Sequence, residues 1–242
     1  MRVRLVVAYD GTNYSGFQRQ VDVPTVQAAL ETALTQVSQE KITIWMAGRT
    51  DAGVHAVGQV IAFDTTWRHS LNDLQRALNA VLPADIAVSE REEVTADFHP
   101  RYDARSRRYR YTLYNAPVRS PLERLYSLHV PVPLDVAAMR QAARTLMGEQ
   151  DFAAFGQPPQ GKITVRRVSM VDWREDPPWL TFDIEGNAFL YRMVRSIVGT
   201  LLQVGRGKMS VEEFTMVLKS RDRSQAGPTA LPHGLCLMEV KY

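Results

Sequence analysis

The chain has 242 residues, 45% of them hydrophobic and 23% charged, with 29 basic against 26 acidic residues and a net charge of +3. This is globular composition, long enough for one large domain or two small ones, and it excludes collagen-like, disordered and disulfide-stapled classes, since Cys236 has no partner cysteine. No apolar run has the length of a membrane span and no charged-then-apolar leader is present, so a cytoplasmic protein without a membrane partner is expected.

Residues 2–9 alternate Val3, Leu5 and Val7 with Arg2 and Arg4, the period of a strand, which Asp10-Gly11 ends. A polar loop with Tyr14, Phe17, Gln18 and Arg19 leads to Pro24-Thr25, which open a helix bearing Val26, Ala29, Leu30, Ala33, Leu34 and Val37 on one stripe. Residues 41–46 place Ile42, Ile44 and Met46 at every second position, and 57–63 are apolar. The two read as strands around the loop Gly48-Arg49-Thr50-Asp51-Ala52-Gly53-Val54-His55-Ala56. Ser70 with Asp73 caps a helix whose Leu71, Leu74, Leu78, Val81 and Leu82 face inward until Pro83, and 86–88 form a short strand.

A second pass follows. The strand at 107–114 sends Arg108, Arg110 and Thr112 to one face and Tyr109, Tyr111 and Leu113 to the other. A proline-punctuated insertion surrounds a strand at 126–130, and Asp135 caps a helix that Gly148 closes. Strands at 164–173 and 179–185 flank Asp176-Pro177-Pro178. Asn187 caps a helix over 188–204, apolar nearly all round and therefore buried, with Arg192, Arg195, Ser196 and Gly199 on one side. Ser210 and Glu213 form a capping box for a last helix, and 235–242 end as a strand. The expected organisation is an approximate duplication, an α/β half over 1–104 and another over 105–242.

The chemistry concentrates at few places. Five arginines lie between Arg101 and Arg110, interleaved with Tyr102 and Tyr109, and arginine forks suit phosphate oxygens. The alternative is a strand edge kept apart by charge. Asp51 sits among the small residues Gly48, Ala52, Gly53 and Ala56, which let a ligand approach; it either faces a substrate or bonds its own turn. Arg195, in a buried helix, needs a carboxylate, either Asp51 or a structural acid such as Asp183 or Glu185. His55 follows Asp51 by four residues, but the remaining histidines show no ligand spacing, so no metal is expected and His55 is read as fixing the loop. Two other functions fit part of this pattern: an RNA-binding module without chemistry, and a nucleoside glycosyl hydrolase, for which the loop lacks a second acid.

Five ordered motifs together resemble the tRNA pseudouridine synthase A family. They are Tyr9-Asp10-Gly11-Thr12 with Tyr14, Gly16, Phe17 and Gln18; the Asp51 loop; Arg107-Arg108-Tyr109-Arg110-Tyr111; Asn187-Ala188-Phe189 through Met193-Val194-Arg195; and Ala226-Gly227-Pro228-Thr229-Ala230. The resemblance implies a mixed α/β (α+β) fold of two RNA-recognition-like halves sharing a continuous, mainly antiparallel sheet. It implies a cofactor-free isomerase acting on uridine in the anticodon stem-loop of tRNA, and a homodimer. It gives Asp51 as nucleophile, Tyr109 as the aromatic over the target base, Arg49 as the residue filling the vacated stack and Arg195 as the partner of Asp51. His55, Gln18, Arg108 and Arg110 are the further RNA-contact candidates beside Tyr109 and Arg49.

Overall fold

The computed structural model describes residues 1–158 and 161–242. Two compact units make up the chain: residues 1–105 with 236–242, and residues 106–235.

In the first unit, β1 (Arg2–Tyr9) pairs antiparallel with β3 (His55–Asp64) on one side and β4 (Ile86–Val94) on the other. β10 (Leu235–Lys241) runs parallel to β3, with Cys236 opposite His55 and Leu237 opposite Ala56. The alternation read in the sequence is real: Val3, Leu5 and Val7 are fully buried, and the arginines between them are not. Two helices belong to this unit. α1 (Val26–Ser38) is capped by the Thr25 hydroxyl, and α2 (Leu71–Val81) by Ser70, whose Oγ accepts from Asp73 N.

Two expectations here need correction. The strand expected over 41–46 shrinks to β2 (Trp45–Met46), which pairs with Ala62 and Ile61 of β3. Ile42 and Ile44 are buried as predicted, but Ile44 N donates to the Glu31 carboxylate of α1 at 3.2 Å instead of to a ladder. The strand expected over 86–88 continues to Val94. Its added residues, Ser89, Glu90, Arg91, Glu92 and Glu93, are exposed, so no apolar pattern announces them; the backbone bonds to β1 hold the strand.

In the second unit the sheet order is β6 (Leu128–Val130), β5 (Ser106–Asn115), β9 (Trp179–Gly186), β8 (Val165–Asp176) and β7 (Gly148–Asp151). β6 lies parallel to β5 and the other pairs are antiparallel. β5 has the two faces that its period requires: Tyr109, Tyr111 and Leu113 are buried, whereas Arg108, Arg110 and Thr112 are half-buried. Met139, Ala142 and Ala143 of α3 (Val136–Arg144) and nearly every side chain of α4 (Met193–Gly205) enter the core. Phe214, Val217 and Leu218 of α5 (Val211–Ser220) join them.

α4 starts five residues later than expected. Arg192 takes the left-handed conformation at φ 59, which a right-handed helix cannot pass through, and Tyr191 N donates instead to Gln157 O at 2.8 Å. Asn187 caps no helix: its Oδ1 accepts from Arg167 N of β8 at 2.9 Å and from Ala188 N at 2.8 Å. Similarly, α3 ends at Arg144, and Gly148 opens β7 at φ 92 rather than closing the helix.

α5 carries the expected capping box. Ser210 Oγ accepts from Glu213 N at 3.1 Å and Ser210 N donates to Glu213 Oε2 at 2.6 Å. Ser210→Ala is expected to cost about 1 kcal/mol, read as a melting temperature lowered by roughly 2–4 °C; an unchanged thermal transition would mean that this helix end is held by packing alone.

Candidate functional site

The Asp51 loop is fastened along its length within the first unit. Where it leaves β2, Ala47 N donates to Val60 O at 2.9 Å, and the fully buried Gln59 amide donates from Nε2 to Gly48 O at 2.8 Å. At its centre the Tyr9 and Thr50 hydroxyls lie 2.8 Å apart, and Phe17 N donates to Thr50 O at 3.1 Å. Towards β3, Gly53 N donates to Tyr14 O at 3.3 Å and Val54 N to Asp51 O at 3.1 Å. The chain around Gly16 lies against this loop so closely that a Cβ there would come 2.8 Å from Thr50 O. Gly16 also has φ 98, so only glycine fits without strain.

The result is a rigid bend whose side chains alternate in exposure. Arg49 is exposed, Thr50 is buried and Asp51 is half-buried. His55 is buried at the loop's far end, with Nδ1 3.0 Å from Gly11 N and 3.1 Å from Asp10 Oδ1. One nitrogen cannot accept from the amide and donate to the carboxylate at once. Gly11 N donates to Nδ1, the bond that ties the ring to the backbone at the end of β1. Asp10 is already served by Thr12, through N at 2.9 Å and Oγ1 at 2.5 Å. His55 thus braces the loop against Gly11. Gln18 is exposed between buried Phe17 and Arg19, which pairs with Glu31 at 2.6 Å. Tyr14, on the same polar loop, donates to Asp85 Oδ1 at 2.6 Å; burial, with that bond behind it, pushes its phenol well above the usual tyrosine range.

The second unit carries the other candidates. Tyr109 is buried on β5, and the Phe189 ring meets it edge-on at 5.1 Å and 84°. Next to it, buried Arg107 donates to Asn187 O at 2.8 Å. Tyr111 is fully buried and donates to Leu231 O at 2.7 Å. Burial drives its phenol upward in pKa, with the nearby positive charge of Arg195 pulling the other way.

Arg195, half-buried on α4, donates from Nε to Ala230 O at 2.8 Å, and Ala230 N returns a bond to Arg195 O at 3.0 Å. The loop 226–230 therefore lies directly on α4. A Cβ at Gly199 would overlap Pro228 O, and Gly227 N donates to Thr200 Oγ1 at 2.9 Å. The two structural acids considered as alternative partners of Arg195 have bonds of their own. Glu185 accepts from Ser106 Oγ at 2.7 Å, and Asp183 is held by Arg110.

The Arg110–Asp183 contact changes how the basic strand is read. Nε and Nη2 of Arg110 reach the Asp183 oxygens at 3.0 to 3.2 Å, and Asp183 has no exposed surface. Arg174 stands 4.0 Å from the same carboxylate. β5 and β9 place Arg110 directly opposite Asp183, a register that the sequence did not disclose. Arg108 is half-buried on the same face. Among the described residues, no three His, Cys, Asp or Glu side chains are grouped as a metal ion would need.

A family model described as tRNA pseudouridine synthase matches residues 5–103 and 142–242. Gln18, Arg49, Asp51, His55 and Arg195 fall within the matched residues; Arg108, Tyr109 and Arg110 fall between the two stretches. Among curated proteins, the chain is 48% identical over 242 residues to the tRNA pseudouridine synthase A of Geobacter sp. (strain M21), covering 99% of this chain and 98% of that one. It is 49% identical over 246 residues to the Chloroflexus aurantiacus (strain ATCC 29366 / DSM 635 / J-10-fl) protein of the same name, covering 99% and 88%. A third of that name, from Neisseria meningitidis serogroup B (strain ATCC BAA-335 / MC58), is 46% identical over 243 residues, covering 100% and 92%.

Proposed function

The chain belongs to the tRNA pseudouridine synthase family, and on that premise we propose that it isomerises uridine to pseudouridine in the anticodon stem-loop of tRNA with Asp51 as the nucleophile. The observation that carries this reading is the Asp51 loop itself: a half-buried carboxylate on a bend tied to its surroundings before, at and after Thr50. A group that must meet a glycosidic carbon in one orientation gains most from such a fixed mount.

The reaction breaks the N1–C1′ bond of uridine and forms C5–C1′; the hydrogen displaced from C5 passes to water, and N1 takes up a proton in exchange. A carboxylate beside the glycosidic bond serves the cleavage, as in other glycosyl chemistry, by adding to C1′ or to C6 of uracil, or by taking a sugar proton. The detached base must turn without leaving, so it needs a stacking surface. Tyr109 is proposed for that surface, worth roughly 1–3 kcal/mol per base; its buried ring, steadied by Phe189, supports the role. Arg49, exposed next to Asp51, is proposed to fill the stack from which the base is extruded, and Arg195 to partner the Asp51 carboxylate. Arg108, Gln18 and His55 are kept as RNA contacts. Arg110 belongs with them through its charge, since Asp183 holds its fork. The enzyme is proposed to work as a cytoplasmic homodimer; no described helix is long and apolar enough to cross a membrane.

The test uses tRNA carrying tritium at C5 of uridine. Label is expected to pass to water with time. Retention of the label with tight binding would leave only an RNA-binding module, and release of free uracil would make the protein a glycosyl hydrolase.

A further inference from the structure

Beneath the Asp51 loop lies a buried polar chain that the reaction does not touch. Gln59 on β3, Tyr9 at the end of β1 and Thr50 in the loop are at most 7% exposed. Gln59 Nε2 donates to Gly48 O at 2.8 Å and reaches Tyr9 Oη at 3.4 Å; Tyr9 Oη lies 2.8 Å from Thr50 Oγ1.

An amide nitrogen can only donate, so Tyr9 accepts from Gln59, while either hydroxyl can give the hydrogen of the Tyr9–Thr50 bond. The chain runs without a break from Gln59 through Tyr9 to Thr50. Its two ends grip the backbone at Gly48 and the side chain of Thr50, one residue on either side of Arg49 and immediately before Asp51. Polar groups this deep in a core are expensive unless they are fully used. An apolar trio of the same volume would fill the space, so the bonds need a purpose other than packing. Phe17, against the Tyr9 ring at 5.9 Å, closes the arrangement by donating its N–H to Thr50 O at 3.1 Å.

We infer that Tyr9, Gln59 and Thr50 are positioning residues for the isomerisation: a hydrogen-bond chain that fixes the bend at Gly48 and Thr50 and so aims the Arg49 and Asp51 side chains. They touch neither substrate nor reacting atoms. The inference rests on the reading of Asp51 as nucleophile. It goes beyond that reading in locating the source of the carboxylate's orientation in three side chains of the sheet beneath.

The experiment measures single-turnover tritium release, tRNA affinity and melting temperature for Tyr9→Phe, Gln59→Met, Thr50→Val and Thr50→Ser. Thr50→Val keeps the shape and loses the hydroxyl; Thr50→Ser keeps the hydroxyl. Misplacement of a reacting group by about an ångström costs on the order of 100-fold. The rate is therefore expected to fall roughly 10- to 100-fold in Tyr9→Phe and Thr50→Val, with tRNA affinity within about threefold of wild type and Thr50→Ser restoring most of the rate. The Tyr9→Phe/Thr50→Val double variant is expected to be no slower than the worse single one, because both cut one chain. Folded variants that melt lower but turn over at the wild-type rate would overturn the inference, as would losses confined to tRNA affinity or losses that multiply in the double variant. A wild-type protein that releases no label would instead sink the nucleophile reading, so the two failures are told apart by the control.

Discussion

Asp51→Asn is expected to bind tRNA as well as the wild type and to lose turnover by at least about a thousandfold, equivalent to some 4 kcal/mol of barrier. The substitution exchanges one carboxylate oxygen for an amide nitrogen of nearly equal size. Bonds through other atoms shape the bend: Thr50 O with Phe17 N, Val54 N with Asp51 O, Gln59 with Gly48 O. The loop therefore keeps its form, and what is removed is the charge and the nucleophilic lone pair. Single-turnover label release and tRNA affinity, measured on the same preparation, check both halves of the statement. Weakened binding with residual turnover would show that Asp51 recognises RNA rather than attacking it.

The second large effect concerns stability. Arg110→Ala would leave the Asp183 carboxylate fully buried, with Arg174 at 4.0 Å from it. Removing one partner of a buried pair costs about 3–5 kcal/mol, because the remaining charge is not compensated. Water reaches part of Arg110, whose side chain is 31% exposed, so the low end of that range is expected. For a chain of this length, that is a fall in melting temperature of roughly 6–12 °C. Pairing Arg110→Met with Asp183→Leu should restore most of the loss, since both charges are then gone. The opposite outcome is as informative. If Arg110→Ala melted normally and merely weakened tRNA binding with a flatter salt dependence, Arg110 would be a phosphate contact and its bond to Asp183 incidental.

That pair also marks where sequence reading stops. The period of β5 separated Tyr109, Tyr111 and Leu113 from Arg108, Arg110 and Thr112 correctly, because burial alternates with the pleat. Which acid faces Arg110 depends on the register of two strands more than seventy residues apart, and neither segment encodes it locally. The capped helices α1, α2 and α5 were legible for the opposite reason: Thr25, Ser70 and Ser210 act on amides three residues away.

Two edge strands were not legible in full. β7 and the second half of β4 are polar and are held by backbone bonds that any side chain permits. The start of α4 failed on one residue, Arg192, whose left-handed backbone no propensity predicts. Of the candidate site, the Asp51 loop stood out as a cluster of small residues around an Arg, an Asp and a His. The chain beneath it did not, because Tyr9, Thr50 and Gln59 come together only through the sheet.

The ladder between β3 and β10 ties the order of synthesis to the first unit. Cys236 and Leu237 lie against His55 and Ala56, the residues on which the Asp51 bend ends, and Gly58 lets Met238 O approach where any side chain would collide. A ribosome makes residue 51 early and residues 236–238 nearly two hundred residues later. Until then the His55–Ala56 end of β3 lacks that neighbour, so a nascent chain carries all the residues of the loop without its finished support. Cotranslational completion of this unit therefore waits for the last strand, and a truncated product would hold its tRNA-modifying chemistry in an unassembled state.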